Sequence, residues 1–598
     1  MAASAPAFWS GKRRETGPLP SAVPRLTTGR AKAIIAPSLP SSLRTTMEAL
    51  TAAEMREADR HCLEDLGMPG PVLMENAGLR CVELLDLKLR QVGGKRIVVC
   101  AGKGNNGGDG FVIARHLALA GARVRVFLTA ATDELEGDAH LNFAALLAVG
   151  VRPEPAVTGP QRRNLTTALS AADVAVDALL GTGLTGAPRD PAASVIRAIN
   201  RSGCRVLAVD LPSGSNADNG QVPGDAVHAD WTVTFARPKV GLLLHPAAEY
   251  CGELFVGSLG VPESAFARRE PCAAVLTAES VGAALPPPRL PDTHKGTYGR
   301  VFVVGGSTGM SGAVVLACRG ALRAGAGLTT AVVPRGINAS VEAALIEATS
   351  VPTDECASGS FSVSAVPEIL SAVSGADAVA LGPGLSRHEE AAEVAALLLE
   401  ELACPVVLDA DGLTAFGGRL DRLARSRAPR VLTPHPGEAA ALLCWTVAEV
   451  QRDRRAAVER LTAETGSAVV LKGSRTLVAL PTGELRVNVT GNPGMATGGS
   501  GDVLTGLIAA LLAQRLPPLE AACAGVFLHG LAGDLAARSR GEQSVVAGDL
   551  VDALPDAFGC LPDVDRSQHL TPRLRRLAPL EVGAWSTGSG CGTMRDHR

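Results

Sequence analysis

Aromatic side chains are scarce, with 4 Trp, 2 Tyr and 12 Phe making up 3% of a 598-residue chain. Single-stranded nucleic acids are gripped by stacking bases on such rings, and duplexes need a basic surplus. Lys and Arg number 57 against 60 Asp and Glu, a net charge of −3, so no nucleic-acid partner is expected. The 13 cysteines include no C-x-x-C pair. That argues against a disulfide framework or a zinc site and for reduced thiols in a cytoplasmic protein. No apolar run reaches the ~18 residues of a membrane span, residues 503–513 being the nearest candidate, so no membrane partner is expected. The pattern G-x-x-x-x-G-K-[ST] is missing as well, which excludes a P-loop enzyme.

What is present is length and glycine. The chain is about four times the ~150-residue domain unit, which favours two large domains. Hydrophobic residues at 46% and charged residues at 20% suit a large buried core. Gly 66 and Pro 39 exceed average usage without reaching low-complexity levels. Residues 1–46 carry Lys12, Arg13, Arg14, Arg25, Arg30, Lys32 and Arg44 against one acid, Glu15. They read as a disordered leader or an over-extended start before Met47. An organelle transit peptide is the alternative, opposed by the prolines that spoil its amphipathic helix. Residues 560–598 read as a disordered tail.

Between these ends, apolar runs at 96–100, 124–128, 174–176, 206–209 and 232–235 alternate with helical patterns. Such alternation means βαβ units and a parallel sheet. Pro286, Pro287, Pro288 and Pro291 mark a boundary. A second series follows at 301–304, 378–381, 406–408, 430–432 and 469–471. No repeat relates the halves. The expected architecture is therefore two different α/β domains, 47–270 and 271–559.

The densest motif, AGKGNNGGDG at 101–110, lies between a strand and a helix. Its glycines free backbone N–H groups at a helix N-terminus, a cradle for phosphate. Gly102, Gly104 and Gly107 satisfy G-x-G-x-x-G, but no acid ends the strand at 124–128, so an ordinary dinucleotide dehydrogenase fails its second test. Asn105, Asn106 and Asp109 add side-chain oxygens that a plain phosphate loop does not need. Asp177 with the loop GTGLTGA, and Asp210 with Ser213, stand at the next two strand ends. Ligands bind where such ends converge. Asn106, Asp177 and Ser213 offer oxygens to a hard cation, and Asp210 is a candidate acid or base. The segments GKGNNGGDG, VDALLGTGLTGA and VDLPSG resemble the NAD(P)H-hydrate epimerase family over roughly residues 50–265. The resemblance implies that Asn105, Asn106, Gly107, Gly108 and Asp109 bind hydrated NADH or NADPH. It adds Gly181, Thr182, Gly183, Leu184, Thr185, Gly186, Ala187 and Asp210 to the substrate site, and K⁺ on Asn106, Asp177 and Ser213.

In the second half, NPGMATGGSGDVLTG at 492–506 opens a helix with Asp502 in its first turn. Helix-end N–H groups stabilise phosphoryl charge while the carboxylate can deprotonate an attacking hydroxyl. GPG at 382–384, TPHPGE at 433–438 and KGSRT at 472–476 stand at other strand ends. His435, held between two prolines, reads as a substrate contact. With GGSTGMSGA at 305–313, these motifs resemble the ADP/ATP-dependent NAD(P)H-hydrate dehydratase family, a ribokinase-like α/β fold, beside the Rossmann-like first domain. The resemblance implies that Ala313, Gly384, His435 and Asp502 contact the hydrated nucleotide. Lys472, Gly473, Ser474, Arg475, Thr476 and Gly501 would hold ADP or ATP with Mg²⁺, and ADP is favoured by the fused layout. A homo-oligomer is compatible with it. The rival reading is a sugar or vitamin kinase fused to a non-catalytic nucleotide-binding domain.

Overall fold

The computed structural model describes residues 47–266, 273–287, 289–426, 428–561, 569–571 and 574–577; the leader expected over 1–46 lies outside them. Two large sheets organise the chain. The first has nine strands, with its parallel series running Glu253–Gly257, Trp231–Phe235, Arg205–Val209, Val174–Ala178, Arg96–Ala101, Arg123–Leu128 and Glu154–Pro155. Ile97, Val99 and Ala101 pack into one layer while Val98 and Cys100 pack into the other. Burial on both faces is why this strand reads as an unbroken apolar run.

The second sheet has eleven strands. Its parallel core runs Thr349–Thr353, Leu328–Pro334, Arg300–Val304, Ala378–Leu381, Val406–Leu408, Arg430–Leu432 and Ala468–Leu471. Leu477–Ala479 and Leu485–Val487 add antiparallel strands beyond it. In both sheets the first core strand lies inside, the next two step to one side, and the later ones step to the other. That reversal falls between Arg96–Ala101 and Val174–Ala178, and between Arg300–Val304 and Ala378–Leu381. It opens a crevice at the carboxyl ends of each pair. Halves without a detectable sequence repeat thus share a winding order.

Two segments depart from a linear division of the chain. Met47–Ala49 pairs antiparallel with Ala273–Val275 and so belongs to the second sheet. Leu574–Leu577 pairs antiparallel with Glu253–Gly257 in the first sheet, with His569–Thr571 beside it. These short strands fall within the tail expected to be disordered from residue 560, whose residues 562–568, 572–573 and 578–598 lie outside the described ones. The outer strand of a parallel sheet presents a row of unpaired N–H and C=O groups, and this segment satisfies them.

The helix Pro518–Arg540 has the length and hydropathy of a membrane span, but 94% of its apolar window is buried inside the protein. It packs against the helices Ser500–Ala513 and Ala547–Cys560 as a core element. Ser500–Ala513 in turn lies tightly on Ser311–Arg323. A Cβ on Gly506 would fall 1.8 Å from the Ala317 carbonyl oxygen. Backbone cannot yield to that intrusion, so Gly506→Ala must separate the helices and should cost about 1–3 kcal/mol. Thermal unfolding of the variant should show a lower midpoint; an unchanged midpoint would refute the packing argument.

Candidate active sites

At the first crevice, Arg96–Ala101 turns through Gly102–Gly104 into the helix Asn105–Leu119. Cβ atoms on Gly102 and Gly107 would lie 2.0 Å from the Leu179 oxygen and 1.9 Å from the Gly102 oxygen. Only glycine lets the two loops at the switch point approach so closely. Behind them Asp177 is fully buried. It accepts hydrogen bonds from the Ser213 hydroxyl (2.6 Å), the Ser213 N–H (2.8 Å) and the Leu179 N–H (3.3 Å). Burial nevertheless outweighs these donors and pushes its pKa up to about 6. Asn106 is buried too, and its amide donates to the Leu180 carbonyl at 3.1 Å. Leu180 N–H donates back to Ser213 Oγ at 2.9 Å. The Leu180 carbonyl, the Ser213 hydroxyl and the Asn106 amide therefore gather beside the Asp177 carboxylate, which has no cationic partner among the described residues, an oxygen-rich set suited to K⁺.

Asp210 follows the strand Arg205–Val209 with φ of 66°, a left-handed conformation that non-glycine residues adopt at a cost. The conformation turns its carboxylate to the Lys239 ammonium, with Thr234 Oγ1 donating at 3.2 Å. Lys239 is 1% exposed and also donates to Thr234 Oγ1 (3.1 Å) and the Phe235 carbonyl (3.2 Å). Two further acids feel the same Lys239 charge. Asp109 is raised well above its ordinary value by burial and then by the Asp210 charge. Asp59 is raised to about 6, by burial first, with Lys239 opposing.

A cleft of about 950 Å³ opens over this cluster. Asn105, Asn106, Asp109, Gly181, Thr182, Gly183, Leu184 and Asp210 line it, as do Lys239 and Asp59. Gly107 and Gly108 are close-packed positions, Gly107 against Gly102 and Gly108 against Met74. Thr185, Gly186 and Ala187 are not part of its wall; Ala187 packs near Gly224. Lys239 escaped the sequence reading, although its place after the strand Trp231–Phe235, in Arg-Pro-Lys, was a usable signal.

At the second crevice, Asp409 ends the strand Val406–Leu408 and is 1% exposed. It accepts from Lys472 Nζ (2.6 Å), Thr433 Oγ1 (2.8 Å) and Thr505 Oγ1 (2.7 Å). Burial raises Asp409, but the Lys472 ammonium and these bonds outweigh it and hold the carboxyl below its ordinary value. Gly501 lies directly over the pair, since a Cβ there would be 3.3 Å from Lys472 Nζ. Next to it Asp502 occupies the first turn of Ser500–Ala513. Burial and then the Asp409 charge push Asp502 up to about 7, against the pull of Lys472. His529, driven down to about 4 mainly by burial, is neutral and donates from Nε2 to the Ser500 carbonyl at 2.8 Å, fixing the helix start.

Gly384, with φ of 62°, brings its loop against Met310 and Ala313; a Cβ would lie 2.6 Å from the Met310 oxygen and 3.1 Å from the Ala313 Cβ. His435 has a structural duty in addition to its exposure. Its Nδ1 accepts from the Gly437 and Glu438 N–H groups at 3.0 and 3.2 Å and caps the helix Pro436–Leu443. In the 472–476 loop the Lys472 charge is directed at Asp409, and Thr476 Oγ1 closes the turn on the Gly473 carbonyl at 2.9 Å. Ser474 Oγ shares a 2.7 Å hydrogen bond with His245 Nε2 from the first half, and burial lowers the Arg475 guanidinium. A base with proton affinity near neutrality, a helix N-terminus and a fixed ammonium are what phosphoryl transfer to a hydroxyl requires.

Comparison with known proteins matches two families. Residues 301–556 match the family described as NAD(P)H-hydrate dehydratase, and residues 70–241 match the YjeF-related protein N-terminus. A "Bifunctional NAD(P)H-hydrate repair enzyme Nnr" from Moorella thermoacetica is 44% identical over 510 residues, 85% of this chain and 96% of the relative. One of the same name from Thermofilum pendens is 41% identical over 515 residues, 86% and 97% of the respective chains. Among solved structures, an ADP/ATP-dependent NAD(P)H-hydrate dehydratase from Bacillus subtilis, co-crystallized with ATP/Mg²⁺, is 31% identical. It covers 48% of this chain and 97% of its own, with a TM-score of 0.41.

Proposed function

Because the chain belongs to the bifunctional NAD(P)H-hydrate repair enzymes, and so both epimerises and dehydrates hydrated NADH and NADPH, we propose how its two crevices divide the chemistry. The first crevice performs the epimerisation. The ring nitrogen lone pair expels the hydroxyl at the hydrated carbon while the Asp210–Lys239 pair delivers a proton to it. Water then adds to the other face of the iminium and returns a proton to the pair. Asn105, Asn106 and the 181–184 loop hold the nucleotide above these groups.

K⁺ on Asn106, Asp177, Ser213 and the Leu180 carbonyl would supply the counter-charge that Asp177 lacks and brace both substrate loops. The ionised form of Asp177 disfavours the fold, because its native pKa lies above its ordinary value. Without K⁺, stability should therefore fall as pH rises from about 4 through 6. K⁺ should restore it, with a shift in melting temperature that grows above pH 6. Asp177→Asn should abolish that shift and slow epimerisation by about 10–100-fold. A K⁺ response unchanged in the variant would remove the assignment.

The second crevice performs the dehydration. Asp502 takes the substrate hydroxyl proton as the oxygen bonds to the terminal phosphorus of the nucleotide and that phosphoryl group leaves ADP as AMP, or ATP as ADP. The ring nitrogen then expels phosphate, and loss of the neighbouring ring proton restores the dihydropyridine. Phosphorylation turns a poor leaving group into a good one. Both Asp409 oxygens are engaged by the chain, so this carboxylate is no cage for Mg²⁺; the ion belongs on the nucleotide phosphates, where it neutralises their charge. Ser474, Arg475 and Thr476 hold the nucleotide, ADP being the favoured donor for this fused layout.

The observation that carries this reading is Asp502, poised near neutrality at a helix N-terminus beside the Lys472–Asp409 pair. The test is incubation with mixed R and S hydrates, K⁺, Mg²⁺ and either ADP or ATP, following dihydronicotinamide absorbance and nucleotide products. Full recovery with AMP and free phosphate is expected. A stable phosphorylated product would overturn the dehydration scheme, and recovery of the S form alone would overturn the epimerase assignment.

A further inference from the structure

Beyond both crevices, three side chains of metal-ligating chemistry meet at the edge of the second sheet. Cys356 lies in the loop after Thr349–Thr353, His388 caps the helix Glu389–Glu401, and Glu390 sits in that helix's first turn. One ligand atom from each lies within 4.8 Å of the others, and Cys356 Sγ is 4.0 Å from His388 Nδ1. Cys356 and Glu390 are half-buried, and His388 is exposed and open to an arriving ion. We infer that Cys356, His388 and Glu390 form a zinc-binding site with a fourth position left to water.

The donor chemistry selects the ion. A thiolate, an imidazole and a carboxylate together suit Zn²⁺ and not the hard cations served by all-oxygen sets. Bond lengths of about 2.0–2.3 Å place tetrahedral ligands roughly 3.3–3.6 Å apart, so the three atoms need to close by about 1 Å. Their present bonds are exchangeable. His388 Nδ1 accepts from the Glu390 N–H over a long 3.4 Å, and Glu390 Oε2 accepts from Ser362 Oγ at 3.4 Å and the Val363 N–H at 3.3 Å. Only one of the three ligands is a cysteine, and it lies 32 residues from His388, so no paired-cysteine spacing marks the site.

The position gives the site leverage on dehydration. The Thr308 N–H donates to the Gly359 carbonyl at 2.9 Å, and Ser360 Oγ donates to the Leu385 carbonyl at 2.6 Å. Ser307 Oγ donates to the Gly384 carbonyl at 3.0 Å. The cysteine loop is thus bonded to both glycine loops of the second crevice, and zinc there restrains the loops that receive the hydrated nucleotide.

The test uses the full chain, loaded with Zn²⁺ or Co²⁺ and dialysed. Wild type should retain one Zn²⁺, and its Co²⁺ form should show a thiolate-to-cobalt charge-transfer band. Cys356→Ser and His388→Ala, melting like wild-type apoprotein, should bind Zn²⁺ at least tenfold more weakly, and Cys356→Ser should lose the band. A band persisting in Cys356→Ser, or equal Zn²⁺ affinity in all three proteins, would overturn the site. The dehydration rate should follow zinc occupancy in wild type and not in Cys356→Ser, with epimerisation as the internal control. A rate indifferent to occupancy would overturn the leverage.

Discussion

Replacing Asp502 by Asn should slow dehydration by about 10²–10⁴-fold, the usual contribution of a positioned general base, while leaving epimerisation at its wild-type rate. The amide preserves shape and the helix start, so thermal stability should hold or rise. In the wild type, ionised Asp502 is disfavoured by burial and by the Asp409 charge. The same geometry fixes the pH profile. With Asp502 raised to about 7, the base is protonated and inactive below that pH, so dehydratase kcat/KM should climb through a single ionisation near pH 7. Asp409→Asn sharpens the test, because it removes the largest like charge raising Asp502 while the lowering pull of Lys472 remains. The acid limb should then move down by about one unit or more. A limb that stays near 7 in Asp409→Asn would mean that another group carries it.

Five strands of each sheet were legible in the sequence because parallel strands buried on two faces are short unbroken apolar runs, with motifs at their carboxyl ends. The loops carrying Asn106, Asp177, Ser213 and Asp502 followed from that rule. Lys239 and Asp409 were harder. Each is a single residue whose importance comes from partners far away in the chain, Asp210 for one and Lys472 with Thr505 for the other. The strand-end loops 409–412 and 237–239 mark the positions, but local pattern does not say which distant residue each one pairs with. The same physics hid the strand crossings: Met47–Ala49 and Leu574–Leu577 are too short to announce themselves, and only a sheet edge built from remote segments gives them partners. His435 combines two duties that local pattern does not separate. Its place between prolines suggested ligand contact, and the same rigidity lets Nδ1 cap its own helix while the ring stays exposed.

Replacing Asp210 by Asn should produce the other large effect, a fall of about 10²–10⁴-fold in the epimerisation rate with dehydration of the S hydrate untouched. Progress curves on mixed hydrates would then be biphasic: a fast recovery of the S fraction, followed by recovery of the R fraction at the uncatalysed rate. Lys239→Met should damage the same reaction and also stability. Asp59 and Asp109 would lose the Lys239 charge that opposes their burial, each binding its proton more tightly, and the melting temperature should drop further as pH rises and these acids ionise. The strongest check combines the two active-site variants. Asp210→Asn retains the second crevice and Asp502→Asn retains the first, so neither alone recovers the full mixture at the wild-type rate. Mixed together, they should recover all of it, because the S hydrate released by one protein is free to reach the other. Failure to complement, with both variants folded, would mean that Asp210 and Asp502 do not serve separable reactions.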